Sequence, residues 1–246
     1  MTPLEIIRRA QGSRVVDEDG RSVTLELLPP LSAEEFAHLE GMIPCRLPAE
    51  VRELLSFSRG FANGPWAGAD FSGLTHEQSF GMEEVFPCAI PIAADGCGNF
   101  WVVDVTSRSA GWGPIFYACH DPPVIVFQTD DLSRFMEEFL QSGNTPQQGG
   151  LHEVHEKHAF RIWSENPGVL NHEAAIQSSD RELKSFAETL DGSFQFIDLR
   201  NAKTGDGFSW GRYGPRTVVR RHGETLLFAC QKGPEKKSLL SRLFGR

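Results

Sequence analysis

No lysine occurs before Lys157, no two cysteines are spaced Cys-x-x-Cys, and the chain has no run of about 18 apolar residues. The last absence excludes a membrane-spanning helix. Residues 1–12 carry Arg8 and Arg9 with no apolar stretch behind them, which is not the pattern of a signal peptide. Cys45, Cys88, Cys97, Cys119 and Cys230 are odd in number and lack metal spacing, so they are expected to be reduced core residues of a cytoplasmic protein. Gly-x-Ser-x-Gly is missing, and neither Gly96-x-Gly98 nor Gly111-x-Gly113 reaches a third glycine at the spacing that a phosphate or dinucleotide loop requires. No cofactor is expected.

What is present is long enough, at 246 residues and 40% hydrophobic, to bury a full core, and more readily two compact units than one. The net charge of −9 is uneven. Residues 1–145 hold 9 basic against 21 acidic side chains, a net −12, which leaves 15 against 12, a net +3, for the remainder. An acidic front half disfavours nucleic acid as its partner and favours a basic one.

The spacing predicts a helix over residues 3–11, then strands over 14–16 and 23–28 around the hairpin signal Asp19-Gly20. Ser32 and Glu35 read as a capping box that starts a helix to about Glu40, and Pro48 as the first residue of a helix over 48–58. Residues 61–80 read as a packed loop with short strands. Three β-branched and aromatic runs follow within residues 90–127. Asp95-Gly96 and Gly98-Asn99 supply the positive-φ positions of a tight reversal between the first two runs. The third feeds a helix whose Leu132, Phe135, Met136, Phe139 and Leu140 share a face, with Thr129 or Asp130 as its N-cap.

Residues 142–150, uncharged and without a sizeable apolar side chain, read as a linker between a first domain over 1–141 and a second over 151–233. The second is expected to hold a helix over 151–163, another capped by Ser179 with Glu182, and about four antiparallel strands over 194–199, 208–213, 217–221 and 225–229. The basic end, 234–246, reads as a flexible tail. The fold class is therefore α+β: an antiparallel sheet with packed helices, followed by a second, smaller α+β domain.

The first unit resembles the SUKH superfamily, which includes fungal cell-wall synthesis regulators and many bacterial immunity proteins. The resemblance rests on Leu47-Pro48 and the helix ending in Arg59-Gly60-Phe61-Ala62-Asn63-Gly64, on Ile92 followed by Asp95-Gly96-Cys97-Gly98-Asn99 and the strand ending at Asp104, and on residues 124–127 feeding the helix of Phe135, Phe139 and Leu140. It covers roughly residues 30–141 and implies an α+β fold without known catalysis. It also implies partner binding, often to neutralise a toxin such as a nuclease or deaminase delivered by neighbouring cells.

Candidate chemistry is sparse. His152, His155 and His158 lie at i, i+3 and i+6 among Glu153 and Glu156, a set that a small metal-dependent hydrolase would use. The spacing is not His-Glu-x-x-His, and six helical residues put His152 and His158 roughly 120° apart around the axis, which favours a solvated face over a metal site. His120-Asp121 stands before two prolines as a turn former. The function expected is non-catalytic binding of a cognate toxin, with no membrane involved and no nucleic acid for the first domain. The residues expected to carry it are the acidic Glu83, Glu84, Asp95, Asp121, Asp130 and Asp131, together with Trp210, Arg212 and Tyr213 of an aromatic turn. The tight reversal gives a first test: Gly98→Val is expected to cost on the order of 1 to 3 kcal/mol through backbone strain, measured by urea denaturation, and unchanged stability would remove the turn.

Overall fold

The computed structural model describes residues 1–17, 19–75, 79–109, 111–144, 149–212, 214 and 217–232. Helix α1 (Pro3–Ala10) starts on a capping box of Thr2 with Glu5, and strands β1 (Arg14–Val16) and β2 (Ser22–Thr24) form the expected hairpin. Strand β2 ends at Thr24, four residues earlier than the sequence suggested, because residues 26–28 turn to pair with the segment around Phe61. Ser32 and Glu35 cap α2 (Ala33–Met42) reciprocally, while Pro48 is the N-cap of α3 (Ala49–Phe57) and not its first helical residue.

Short strands β3 (Gly60–Phe61) and β4 (Ala69–Asp70) lead to β5 (Ala89–Ala94), β6 (Phe100–Asp104), β7 (Ile115–His120) and β8 (Pro123–Thr129). Pro91 is accommodated within β5 because the register against β6 shifts between Pro91 and Ala93. Helix α4 (Leu132–Asn144) follows, and Asp131 caps it in place of Thr129 or Asp130: its Oδ1 accepts the Arg134 amide at 2.9 Å. Helix α5 (Gly150–Glu153), a π-helical turn at Val154–His158 and α6 (Ala159–Glu165) form one run. Next come β9 (Leu170–Asn171), α7 (His172–Ile176), α8 (Arg181–Glu188), β10 (Phe194–Asp198), β11 (Gly207–Ser209), β12 (Val219–Arg221) and β13 (Leu227–Gln231). Asp180, not Ser179, caps α8.

Two sheets carry the architecture. The larger has the order β11-β8-β7-β6-β5-β4-β3 and the smaller β12-β13-β10-β9. In the larger, Trp101, Val103, Tyr117 and Val126 face a core shared with α1, α3, α4 and the α5–α6 run. Phe100, Val102, Phe116, Ile125 and Phe127 face the opposite way, onto Phe80, Met82 and Phe86 and onto Ile197, Leu199, Phe208 and Phe228. The other face of the smaller sheet, with Phe194, Phe196, Leu227 and Ala229, is covered by Ala175, Leu183, Phe186 and Ala187 of α7 and α8. The layers run helices, sheet, sheet, helices.

The two stretches expected as separate domains share a sheet and a core. The strand foreseen at 208–213 as part of the second sheet lies instead in the first, where β11 pairs with β8 through Gly207 opposite Val126. A Cβ on Gly207 would collide with the carbonyl oxygen of Ile125, so only glycine lets the strands meet there. Within the foreseen linker, residues 142–144 are the end of α4 and Gly150 begins α5. Residues 145–148 and the expected tail, 234–246, lie outside the described residues.

The sheets are also joined by ions. Arg221 donates to Asp104 through Nη1 at 2.9 Å and Nη2 at 2.6 Å, and further to the carbonyls of Val85, Glu224 and Thr225. Its guanidinium lies over the rings of Phe86 and Phe228, and both charged side chains are almost wholly buried. Removing one partner of such a pair strands the other, so Arg221→Ala is expected to destabilise the fold by about 3 to 5 kcal/mol in urea denaturation. A loss below about 1 kcal/mol, the size of a surface pair, would show that the pair does not hold the sheets together.

Candidate partner-binding site

The reversal between β5 and β6 is built as its sequence requires, with Gly96 at φ +78 and Gly98 at φ +88. Its function is to fold a carboxylate inward. Asp95 Oδ1 accepts the amides of Cys97 at 2.8 Å and Asn99 at 3.1 Å, and Oδ2 accepts Asn99 Nδ2 at 2.6 Å and the Tyr117 hydroxyl at 2.9 Å. Asn99 Oδ1 in turn accepts the His120 amide at 2.9 Å, which ties this turn to the end of β7. Burial alone would raise the Asp95 carboxyl, but the hydrogen bonds from His155, Asn99 and the Cys97 amide hold it well below the usual carboxylate range. Asp95 is thus a buried anion and not the surface charge expected of it.

The remaining donor comes from the π-helical turn. His155 Nε2 lies 3.1 Å from Asp95 Oδ2, and Nδ1 lies 2.6 Å from Glu156 Oε1. Two carboxylates on the two ring nitrogens select the imidazolium, which donates to both. Burial would lower the imidazole's basicity, but the hydrogen bonds to Asp95 and Glu156 outweigh it and raise it. Three aromatic rings surround the imidazole, with centroids at 5.1 Å for Trp66, 5.3 Å for Tyr117 and 6.3 Å for Trp101. Trp101 and Tyr117 are direct cross-strand neighbours of β6 and β7. Trp101 Nε1 donates to Gln128, whose amide donates to Glu138 of α4 at 2.7 Å, so a polar chain backs the cage.

The three histidines do not converge. His155 turns into the cage, whereas His158 packs toward Gly205, where burial and the nearby Arg161 lower its basicity. Among the described residues no three His, Cys, Asp or Glu side chains are grouped to hold a metal ion.

The exposed acidic candidates fall at two ends of the larger sheet. Asp121 lies in the turn before β8, and Asp130 and Asp131 lie just beyond its far end. Seven residues rising about 3.3 Å each put roughly 20 Å between them, so they are not one patch. Asp131 is also committed to capping α4. Glu83 and Glu84 line a groove of about 280 Å³ with Met82, Val85, Trp210 and Thr217. Glu83 is partly spent on the loop, accepting the Phe80 amide at 2.7 Å and the Ser79 hydroxyl at 2.6 Å. Trp210 reaches the Asp121 turn through its own amide, which donates to the Pro123 carbonyl at 3.1 Å. Arg212 is not a free anchor: it donates to the carbonyls of Trp163 and Ser164 at the end of α6. Tyr213 lies outside the described residues.

Of the candidates, the structure gathers Glu83, Glu84 and Trp210 around one groove, and the cage as a whole had no sign in the sequence. Trp101 and Tyr117 were legible as a pair once the turn fixed the register; His155 carried no signal pointing to Asp95.

Residues 30–138 match the model of the SMI1 / KNR4 family (SUKH-1). No curated protein and no solved structure matches the chain. Among the described residues no helix is long and apolar enough to cross a membrane.

The pairing of His155 with Asp95 has a defined pH window. A raised imidazole pKa contributes stability that is complete below its unfolded value of about 6.5 and is lost as pH rises through the folded one. The depressed Asp95 carboxyl contributes above its unfolded value of about 3.9 and fails only in stronger acid. His155→Gln is therefore expected to lower the urea midpoint more at pH 5.5 than at pH 9. Equal losses at both values would mean that the ring acts by packing and not by charge.

Proposed function

We propose that the protein is a non-catalytic protein-binding module of the immunity type, which neutralises a toxin of the nuclease or deaminase class by occluding its active site. The observation that carries this reading is the SUKH-1 match over residues 30–138 in a half-chain with 21 acidic and 9 basic side chains up to residue 145. Toxins that act on nucleic acid present cationic surfaces to phosphates, and a blocker gains from placing carboxylates against them. Glu84 and Asp121 are exposed, and Trp210 at the same region is half-buried beside a groove, the setting in which an aromatic side chain serves as an anchor. Asp130 and Asp131 offer a second acidic point at the other end of the sheet.

The test is association with purified toxin domains of the nuclease and deaminase classes, beginning with any encoded in an adjacent reading frame. The on-rate is expected to fall about tenfold or more between about 0.05 and 0.5 M salt, since steering is screened over roughly 10 Å at 0.1 M. Glu84→Lys with Asp121→Lys should slow association while leaving the urea midpoint in place, because neither side chain caps a helix. The Asp131 reversal would confound the two readouts. An on-rate indifferent to both salt and the double substitution removes electrostatic recognition from the account.

A further inference from the structure

The cage around His155 has the composition of a receptor for a planar cation. A wholly buried carboxylate forms its floor, Trp66, Trp101 and Tyr117 form its walls, and Glu156 supplies a second acceptor at the rim. Besides His155, two amides, the Asn99 side chain and the Tyr117 hydroxyl donate to Asp95, so four of its donors stay in place when the ring leaves. The ring that fills the cage is itself a planar cation, inclined by 26° to Trp101, with one N–H on each carboxylate.

We propose that Trp66, Trp101, Tyr117 and Asp95 form a binding site for the guanidinium of an arginine on a partner protein, and that His155 is an intramolecular plug which yields the site by rotating outward. A guanidinium is planar, stacks on indole faces and carries N–H groups spaced for two carboxylate acceptors; an ammonium lacks the shape. The plug can move without unfolding its helix. The His155 side chain is 22% exposed at the cage mouth, and it stands on a π-turn, where the regular ladder is already interrupted. Its neighbours Val154, Ala159 and Ile162 stay buried and hold the backbone. The titratable groups facing the ring are Asp95, Tyr117 and Glu156, all acidic, so the charged plug is held and the neutral one is released. That an arginine of a protein is the natural occupant rests on the partner-binding reading above; the cage does not.

The experiment is calorimetric titration of the full chain with methylguanidinium at constant ionic strength, beside tetramethylammonium. Removing the plug abolishes the population penalty on binding, so His155→Ala is expected to bind methylguanidinium at least about tenfold more tightly than the unaltered chain. Adding Trp66→Ala to that variant should abolish the gain. In the unaltered chain, binding should strengthen from pH 6 to pH 9, a readout that stands even where His155→Ala fails to fold. An affinity of folded His155→Ala within about twofold of the unaltered chain, a flat pH profile, or tighter binding of tetramethylammonium would each overturn the site. Failure of the toxin experiment with methylguanidinium still bound would overturn the partner reading alone.

Discussion

Phe100, Val102, Phe116, Ile125 and Phe127 all point away from the helices of the first layer, and the first 141 residues cover them only with the segment around Phe80, Met82 and Phe86. Each large apolar side chain is worth roughly 1.5 to 3 kcal/mol when fully buried. Leaving such a face open would cost on the order of 10 kcal/mol, as much as the whole stability of an ordinary domain. The second sheet is therefore part of the first sheet's core, and the chain beyond residue 150 supplies the cover that this face needs.

The buried charges obey the same constraint. Asp104 and Asp95 stand at opposite ends of β6, one closing the strand and the other opening the turn before it, and both are buried. The cation for each comes from beyond residue 150: Arg221 for Asp104 and His155 for Asp95. A carboxylate in an apolar interior without a partner is strongly unfavourable. The pairing thus adds directional specificity to an apolar contact that has none of its own, fixing how the second sheet and the α5–α6 run sit on the first.

Local chemistry was the legible part. Ser32 with Glu35, Asp19-Gly20 and Asp95 to Asn99 each act within a few residues, and each element appears where its signal lies. Where two neighbours compete for one role the sequence does not decide: Asp180 beside Ser179 and Asp131 beside Asp130 differ only in which backbone amide each can reach. The placement of β11 was not legible at all, because a strand of three residues carries no register of its own and Gly207 joins β8 only by permitting a close approach. The runs of β6, β7 and β8 did carry an unread signal. Near-continuous apolar residues, without alternation, mean a sheet covered on both faces. The acidic candidates were found by composition and scattered by geometry, since the length of β8 decides what can meet.

The covering of both faces also decides where a partner can dock. Among the described residues neither broad surface of the larger sheet is open, so a partner would have to use the turns at the sheet's ends or the helical layer. At one end the groove of Glu83, Glu84 and Trp210 lies next to the Asp121 turn. The Asp95 turn is tied to the same end of β7 through Asn99, so the cage opens within one strand of Asp121. The exposed carboxylates and the aromatic cage around His155 thus lie at one end of the sheet. On the proposed reading, the first would set how fast a basic partner arrives and the second how selectively it stays.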